Sequence, residues 1–172
     1  MIRKALEIIG GIVVVVVFLV LLFWVIRSVL PSEIDDVSPE IICPAGMIER
    51  SDVLWIIPEF EGHSIANNKD WCNYILSLNK TLGMHGVHHL YREFEGNITQ
   101  RYLNEGIEIF EECFGFRPTR FKPPQLRISD ENVYLVENSG MSVKTKFNQV
   151  TRKVYHCDDE PEALSNGIIE KI

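Results

Sequence analysis

The stretch LGMHGVHH at residues 82–89 joins a short apolar run to a pair of histidines four positions apart. An apolar run that ends in polar residues is typical of a buried strand that reaches the edge of a sheet. The spacing of His85 and His89 suggests two imidazoles on one face of a helical turn, where both can bind one metal ion. Gly86 stands where zinc proteases with an HExxH motif carry their glutamate base. The motif therefore predicts a metal site with a different chemistry, and its alternative is two polar histidines at a helix start.

Short β-rich runs alternate with helical patterns on both sides of this stretch. We predict strands at 33–37, 53–58, 82–86, 120–122, 142–147 and 153–157, and helices at about 68–79, 97–115 and 129–140. The apolar stripe of Leu103, Ile107 and Phe110 supports the second helix, for which we expect Asn97 to provide the start and Gly115 the stop. This alternation predicts an α/β fold with a largely parallel sheet or barrel.

Polar residues follow four of the predicted strands. Asp35 and Asp36 end the first strand, the 85–89 motif ends the third, Lys122 ends the fourth and His156 ends the last. Reactive groups in parallel α/β folds collect at the carboxyl ends of the strands. We therefore expect these side chains to meet at one rim of the sheet.

The adjacent carboxylates of Asp35 and Asp36 suggest a nearby cation. Two like charges a few ångströms apart raise one pKa strongly unless a positive charge compensates them. One aspartate could join the two histidines as a third metal ligand, while the other takes a proton from water. The alternative is a solvated loop or a helix cap before Ser38.

The order of these motifs resembles the polysaccharide deacetylase family of carbohydrate esterases, whose domain is called NodB-like. The resemblance is carried by IDDV at 34–37, HGVHH at 85–89, FKPP at 121–124 and the late His156, and it covers roughly residues 34–158. The first three of these phrases look like the compact, uncharacterised branch of that superfamily. The resemblance implies a distorted, incomplete (β/α) barrel of NodB type with fewer than eight strands.

The resemblance also implies a role for each residue of the site. Asp35 would be the general base, and Asp36, His85 and His89 would hold a divalent metal ion, usually Zn²⁺. His156 would be the acid that protonates the leaving amine, and its alternative is a surface histidine at a strand end.

Two further positions depart from the family pattern. Lys122 stands where the family usually has an arginine that orients the catalytic aspartate, and lysine keeps the charge but lacks the rigid fork. Gln125 stands where the family usually has a tyrosine, and its backbone N–H is the expected oxyanion donor. No tryptophan follows Trp71, so the late hydrophobic wall of the family is not evident.

Other polar residues near the motifs are weaker candidates. We expect His63 to be a rim residue and His88 to be structural. Arg92 and Glu93 could support the metal ligands through hydrogen bonds, but we expect a solvated charged turn there.

An uncharged run rich in Val, Leu and Phe covers residues 8–26, between Glu7 and Arg27. A helix of this length spans about 28 Å, enough for a bilayer core. We interpret residues 1–30 as a transmembrane anchor with its helix at about 8–28, and residues 31–172 as a NodB-like domain. A cleaved signal peptide is the alternative. Arg3 and Lys4 precede the run, which favours an external position for the domain.

The charge and the cysteines restrict the partners and the compartment. The 172-residue chain has a net charge of -7, and its part beyond residue 30 has a net charge near -9. Such an acidic domain excludes nucleic acid as a partner. Four cysteines without a CxxC pair could form up to two disulfides in any of three connectivities. Sequons at Asn79 and Asn97 fit an external domain.

The family resemblance, together with the apolar run, implies a single-pass, membrane-anchored, metal-dependent hydrolase that removes acetyl groups from N- or O-acetylated sugars. Such an enzyme would act on non-peptide C–N bonds, and its partners would be an acetylated glycan and the membrane. The alternative is a catalytically weak or inactive glycan-binding or structural protein of the same fold. Hydrolysis of a different amide or ester is a third possibility.

Overall fold

The computed structural model describes residues 2–157. A long N-terminal helix leads into a domain in which short strands and helices alternate. In chain order the elements are α1 (Ile2–Val29), β1 (Glu33–Val37), α2 (Met47–Arg50), β2 (Val53–Ile56), β3 (Glu59–Phe60), β4 (His63–Ser64), α3 (Lys69–Ser77), β5 (Thr81–His85), α4 (Gln100–Phe114), β6 (Arg120–Lys122), α5 (Asp130–Asn138), β7 (Ser142–Val143), α6 (Lys146–Thr151) and β8 (Val154–His156). Turns of 3₁₀ helix cover Ile65–Asn67 and Pro124–Leu126.

Six strands form one sheet in the order β7-β6-β5-β2-β1-β8, and every neighbouring pair is parallel. The predicted α/β class with a parallel sheet is therefore confirmed. Strands β3 and β4, which are not among the predicted strands, form a separate antiparallel hairpin. Because the six strands are parallel, their carboxyl ends lie along one edge of the sheet.

Helix α4 illustrates how the sequence sets the core. Leu103, Ile107 and Phe110 recur at spacings of four and three and are buried against the sheet, as predicted. Gly115 ends the helix with φ 79°, the left-handed conformation that favours glycine. The predicted start at Asn97 is wrong, because the Thr99 hydroxyl caps the helix by accepting the N–H of Tyr102.

The predicted strand 142–147 is also wrong in its second half. The pattern of alternating residues fits an exposed strand, but β7 ends at Val143 and residues 146–151 form α6. Tertiary contacts explain this difference. In α6, Asn148 donates a hydrogen bond to the buried Glu33 carboxylate, and the Val150 carbonyl accepts one from Arg27 of α1.

The four cysteines form two disulfides. Cys72–Cys113 joins α3 to α4, and Cys43–Cys157 joins the segment after β1 to the end of β8. This pairing selects one of the three possible connectivities. The second bridge fixes the chain directly after His156.

Helix α1 is long and apolar enough to cross a membrane. Within Glu7–Val29, an 18-residue window has a mean hydropathy of 3.2, and no residue of that window is buried by the rest of the chain. A signal sequence near an N-terminus would have the same length and composition. The choice between an anchor and a signal sequence stays a prediction.

Candidate metal and catalytic site

A β-bulge brings both aspartates of β1 to the same site. Neighbouring residues of a regular strand point to opposite faces of a sheet. In β1, however, Ile34 pairs with Leu54 and Val37 with Ile56, so β1 contains one residue more than β2 over this interval. Asp36 adopts φ 62° at this irregularity. Asp35 and Asp36 therefore line the same cleft at the carboxyl end of the strand.

Asp36, His85 and His89 converge on one point. Asp36 Oδ1 lies 2.8 Å from Nε2 of His89 and 3.2 Å from Nε2 of His85. The three ligand atoms lie within 4.8 Å of one another. This separation fits one ion with bonds of about 2.0–2.2 Å to nitrogen and oxygen.

The hydrogen bonding of His85 supports a ligand role. Its Nδ1 lies 2.9 Å from the Lys122 carbonyl, which can only accept, so Nδ1 carries a proton. In the neutral ring, Nε2 then directs a lone pair toward the Asp36 carboxylate. Asp36 Oδ1 is buried and has no hydrogen-bond partner among the described residues. A cation between these atoms would be bound by the carboxylate oxygen and the two ring nitrogens, so the residues fit a metal ion.

The electrostatics keep Asp36 ionised. Burial raises the pKa of Asp36, but the combined contacts with His85 and His89 outweigh this effect and hold the pKa well below its usual range. Burial lowers the pKa of His89, and the Asp36 carboxylate raises it above its ordinary value. The two shifts describe a strongly interacting cluster at the rim.

The histidines do not lie on a helical turn, so this part of the prediction is wrong. His85 is the last residue of β5, and the chain then turns through Gly86 at φ 68° and His89 at φ 57°. The tight turn, rather than helical periodicity, brings the two imidazoles to a centroid distance of 5.0 Å. His88, which was expected to be structural, lies apart from this pair, and its Nδ1 lies 3.2 Å from Glu59.

Glu93 holds this turn in place, which contradicts the expected solvated position. Its carboxylate accepts the backbone N–H groups of Val87 (3.1 Å) and His88 (2.8 Å) and the hydroxyl of Tyr102. A Cβ at Gly86 would overlap with this carboxylate. Arg92, in contrast, forms an exposed ion pair with Glu95, as expected for a charged turn.

Asp35 is held by a buried lysine. Lys122 Nζ lies 2.7 Å from Asp35 Oδ1, and Lys122 has no exposed surface. Burial raises the pKa of Asp35, but the Lys122 ammonium and, to a lesser extent, His156 lower it below its usual value. The carboxylate is therefore ionised and fixed by one oxygen.

Glu33, which no sequence motif indicated, is also buried beside Lys122. Its Oε2 lies 3.6 Å from Lys122 Nζ and accepts hydrogen bonds from Trp55 Nε1 and Asn148 Nδ2, each at 2.7 Å. Its Oε1 lies 3.2 Å from an Arg152 guanidinium nitrogen. The signal was present in the strand period, because residues i and i+2 share one face and Glu33 precedes Asp35 by two.

A cleft of about 290 Å³ opens above these groups, lined by Asp35, Asp36, His85, His89, Gln125, Leu126, Gln149 and His156. His156 Nε2 lies 3.5 Å from Asp35 Oδ2 and 3.9 Å from Asp36 Oδ2. Gln125 adopts φ 51°, and its side-chain carbonyl accepts the backbone N–H of Arg92. His63 lies on the β3–β4 hairpin and lines a different cleft, so its predicted position at this rim is wrong.

Known proteins of similar sequence or fold are named as deacetylases or as related pseudoenzymes. No protein-family model matches the chain. A curated relative, the peptidoglycan deacetylase-like protein FGM2 of Gibberella zeae, is 26% identical over 120 residues, which cover 69% of this chain and 34% of that protein. The chain thus spans about a third of the length of this relative.

Two solved structures have a similar fold. The Bc1960 peptidoglycan N-acetylglucosamine deacetylase matches with a TM-score of 0.56 at 11% identity, over 82% of this chain and 78% of that one. The domain of this chain therefore has a NodB-like fold. A mutant of BA3943, named a CE4 family pseudoenzyme, matches with a TM-score of 0.52 at 12% identity, over 81% of this chain and 57% of that one. The resemblance to the NodB-like superfamily is confirmed.

In this NodB-like fold, all seven residues that were predicted for the site lie together. Six of them gather through side chains that line or support the cleft, namely Asp35, Asp36, His85, His89, Lys122 and His156. The seventh, Gln125, also lines the cleft. Their catalytic and ligand roles stay predictions.

Proposed function

We propose that this domain is a metal-dependent hydrolase that removes acetyl groups from N- or O-acetylated sugars. The observation that carries the proposal is the convergence of Asp36, His85 and His89 beside an ionised, lysine-bound Asp35. A three-residue ligand set leaves an open coordination position, which is typical of catalytic rather than structural zinc sites.

In this proposal Asp36, His85 and His89 hold a divalent ion, for which Zn²⁺ is the expected species. Such an ion, when bound, provides a Lewis acid that polarises a carbonyl oxygen and lowers the pKa of water. The Lys122 carbonyl keeps the proton of His85 on Nδ1, and Glu93 keeps the turn between the histidines fixed.

The remaining residues would move protons and stabilise charge. Asp35 Oδ1 is held by Lys122, which leaves Oδ2 to accept a proton from the attacking water. His156, at 3.5 Å from that oxygen, would donate a proton to the leaving amine. The backbone N–H of Gln125 would donate to the oxyanion, with Pro123 and Pro124 restricting the loop before it.

The test is metal analysis of the purified full-length chain in detergent, followed by acetate release from chito-oligomers with and without a chelator. We expect stoichiometric metal and acetate release that the chelator abolishes. The His85→Ala/His89→Ala double variant should lose the metal, whereas His88→Ala is the matched control and should keep it. Equal metal content in the two variants would refute the site.

A second candidate is an inactive or weak glycan-binding protein of the same fold. The observation that favours it is the similarity to BA3943, together with Lys122 and Gln125 at positions where the family usually has arginine and tyrosine. Among the described residues that line the cleft, Leu126 is the one with an apolar side chain. Stoichiometric metal without acetate from any tested sugar would support this candidate.

We also propose that α1 anchors the chain by a single pass and that residues 31–172 lie outside the cytoplasm. Two disulfides support an oxidising compartment for this domain, because cytoplasmic thiols stay reduced in most organisms. An anchored enzyme would act on acetylated glycans of the cell envelope. Treatment of intact cells with an external protease tests the topology. Full protection of the domain would refute it.

A further inference from the structure

The domain is held very close to the end of α1. Helix α1 ends at Val29 and β1 begins at Glu33, so three residues connect them. A chain of this length spans at most about 14 Å even when fully extended. If α1 crosses a membrane, the side of the domain at which β1 begins must lie next to the bilayer surface.

Helix α6 lies on this side and packs against α1. The Arg27 side chain is 1% exposed, and its guanidinium donates a hydrogen bond to the Val150 carbonyl at 3.2 Å. Leu30, directly after α1, and Phe147 of α6 line one surface cleft of about 410 Å³. The surface of α6 is thus continuous with the end of the apolar helix.

The exposed face of α6 is apolar. Phe147 is 81% exposed and Val150 is 45% exposed, and the two lie three positions apart on one face of the helix. Most of the Phe147 side chain is therefore left in contact with water by the described part of the chain. Its position beside the end of α1 suggests that membrane lipid surrounds the Phe147 side chain.

The charge around α6 supports the same surface. Residues 142–157 contain four basic residues and no acidic residue, although the part of the chain beyond residue 30 has a net charge near -9. Arg152 pairs with Glu33, which leaves Lys144, Lys146 and Lys153 as the other cations of this segment. A basic segment with exposed apolar side chains is typical of elements that bind anionic lipid surfaces.

We propose that α6 is a membrane-contact element that binds the anionic headgroups of the bilayer crossed by α1. Phe147 and Val150 enter the headgroup region, while Lys144, Lys146 and Lys153 attract lipid phosphates. This proposal rests on α1 as a membrane span and not on the hydrolase activity.

The contact would also set the position of the catalytic cleft. Asn148 of the same helix donates to Glu33 at 2.7 Å, and Gln149 lines the cleft. One short helix therefore contacts the bilayer on one face and the site on another. A membrane contact through this helix would therefore fix the distance of the cleft from the bilayer.

The test uses the full-length chain with a fluorescent dye on one introduced cysteine, reconstituted in nanodiscs that contain nitroxide-labelled lipid. Phe147→Cys carries the test probe. Tyr134→Cys is the matched control, because Tyr134 is 70% exposed on α5. In nanodiscs with phosphatidylglycerol we expect lipid quenching about twofold or more stronger at position 147 than at 134.

Two further measurements make the test decisive. A Lys144→Glu/Lys146→Glu variant should reduce quenching at position 147, as should nanodiscs of phosphatidylcholine alone. A count of one free thiol in each cysteine variant before labelling, and of none after it, shows that both disulfides are intact. Equal quenching at positions 147 and 134, or quenching that ignores both the lipid charge and the lysine variant, would overturn the proposal.

Discussion

Replacement of Lys122 by methionine tests the buried charges behind the cleft. Lys122 contacts the carboxylates of Asp35 at 2.7 Å and Glu33 at 3.6 Å, and it has no exposed surface. Methionine keeps much of the volume but removes the charge. Two buried carboxylates then lose a shared cation, although Arg152 remains beside Glu33.

The structure gives the size of the expected effect. At an effective dielectric constant of about 20, the two contacts have a Coulomb energy of roughly 10 kcal/mol, most of which offsets the desolvation of the charges. Removal of one partner from a buried ion pair typically costs about 3–5 kcal/mol of unfolding free energy. We expect a loss in this range for Lys122→Met, and a smaller loss for Lys122→Arg, which keeps the charge.

The effect should depend on pH with a definite sign. The folded-state pKa of Asp35 is lowered, so its ionised form stabilises the folded chain above the usual pKa, and this stabilisation is lost as the pH falls through the folded pKa. Without Lys122, burial would raise the pKa of Asp35 instead. The folded variant then takes up a proton more readily, and its deficit against the wild type should shrink between about pH 7 and pH 5.

The assay is urea unfolding of the full-length chain in detergent at several pH values, monitored by near-ultraviolet circular dichroism. Lys122→Arg, in the same detergent, is the control for packing around Trp55. The reasoning is wrong if Lys122→Met unfolds at the wild-type urea concentration, or if its deficit is the same at pH 5 and pH 7.

Three further outcomes follow from the site and the disulfides. Glu93→Gln should weaken metal binding by about 10–100-fold, measured by competition with a chelating dye, because the turn between the ligands loses a charged acceptor. Gly86→Ala should cost about 1–3 kcal/mol in urea unfolding, because the added methyl lies 2.7 Å from Pro124 and forces a left-handed alanine. The disulfide Cys72–Cys113 joins residues separated by 41 positions. Its loss in the Cys72→Ser/Cys113→Ser variant should lower the free energy of unfolding by about 4 kcal/mol, measured by thermal unfolding against the wild type.

Much of the fold could be predicted from hydrophobic patterns. The strands near residues 33, 53, 82, 120 and 154 were predicted at their observed positions, because each is a short β-rich run bounded by polar or turn residues. Residues 144–151 could not be assigned correctly, because α6 depends on contacts with Arg27 and Glu33, which are more than 100 residues away in sequence. Local pattern carries no information about such contacts.

The site was predicted in composition but not in construction. The seven residues lie at one rim because the carboxyl ends of parallel strands share one edge of the sheet. The supporting groups were missed because their importance lies in partners rather than in their own spacing. Glu93 acts through two backbone N–H groups of another turn, and a charged residue in a polar segment predicts only solvent exposure.

The pair Lys122 and Glu33 shows how a lysine can hold the aspartate in place of an arginine. An arginine would hold Asp35 by two nitrogens of a planar fork, whereas a lysine provides one nitrogen that can rotate. Here that nitrogen lies between Asp35 and Glu33 and 5.6 Å from the centre of the Trp55 ring. Trp55 in turn donates to Glu33, so the second carboxylate is itself fixed. Three contacts from two strands therefore restrict the lysine, although it lacks the planar fork of an arginine. Replacement of Glu33 should make the Asp35 carboxylate more mobile, even though Glu33 acts on Asp35 only through Lys122.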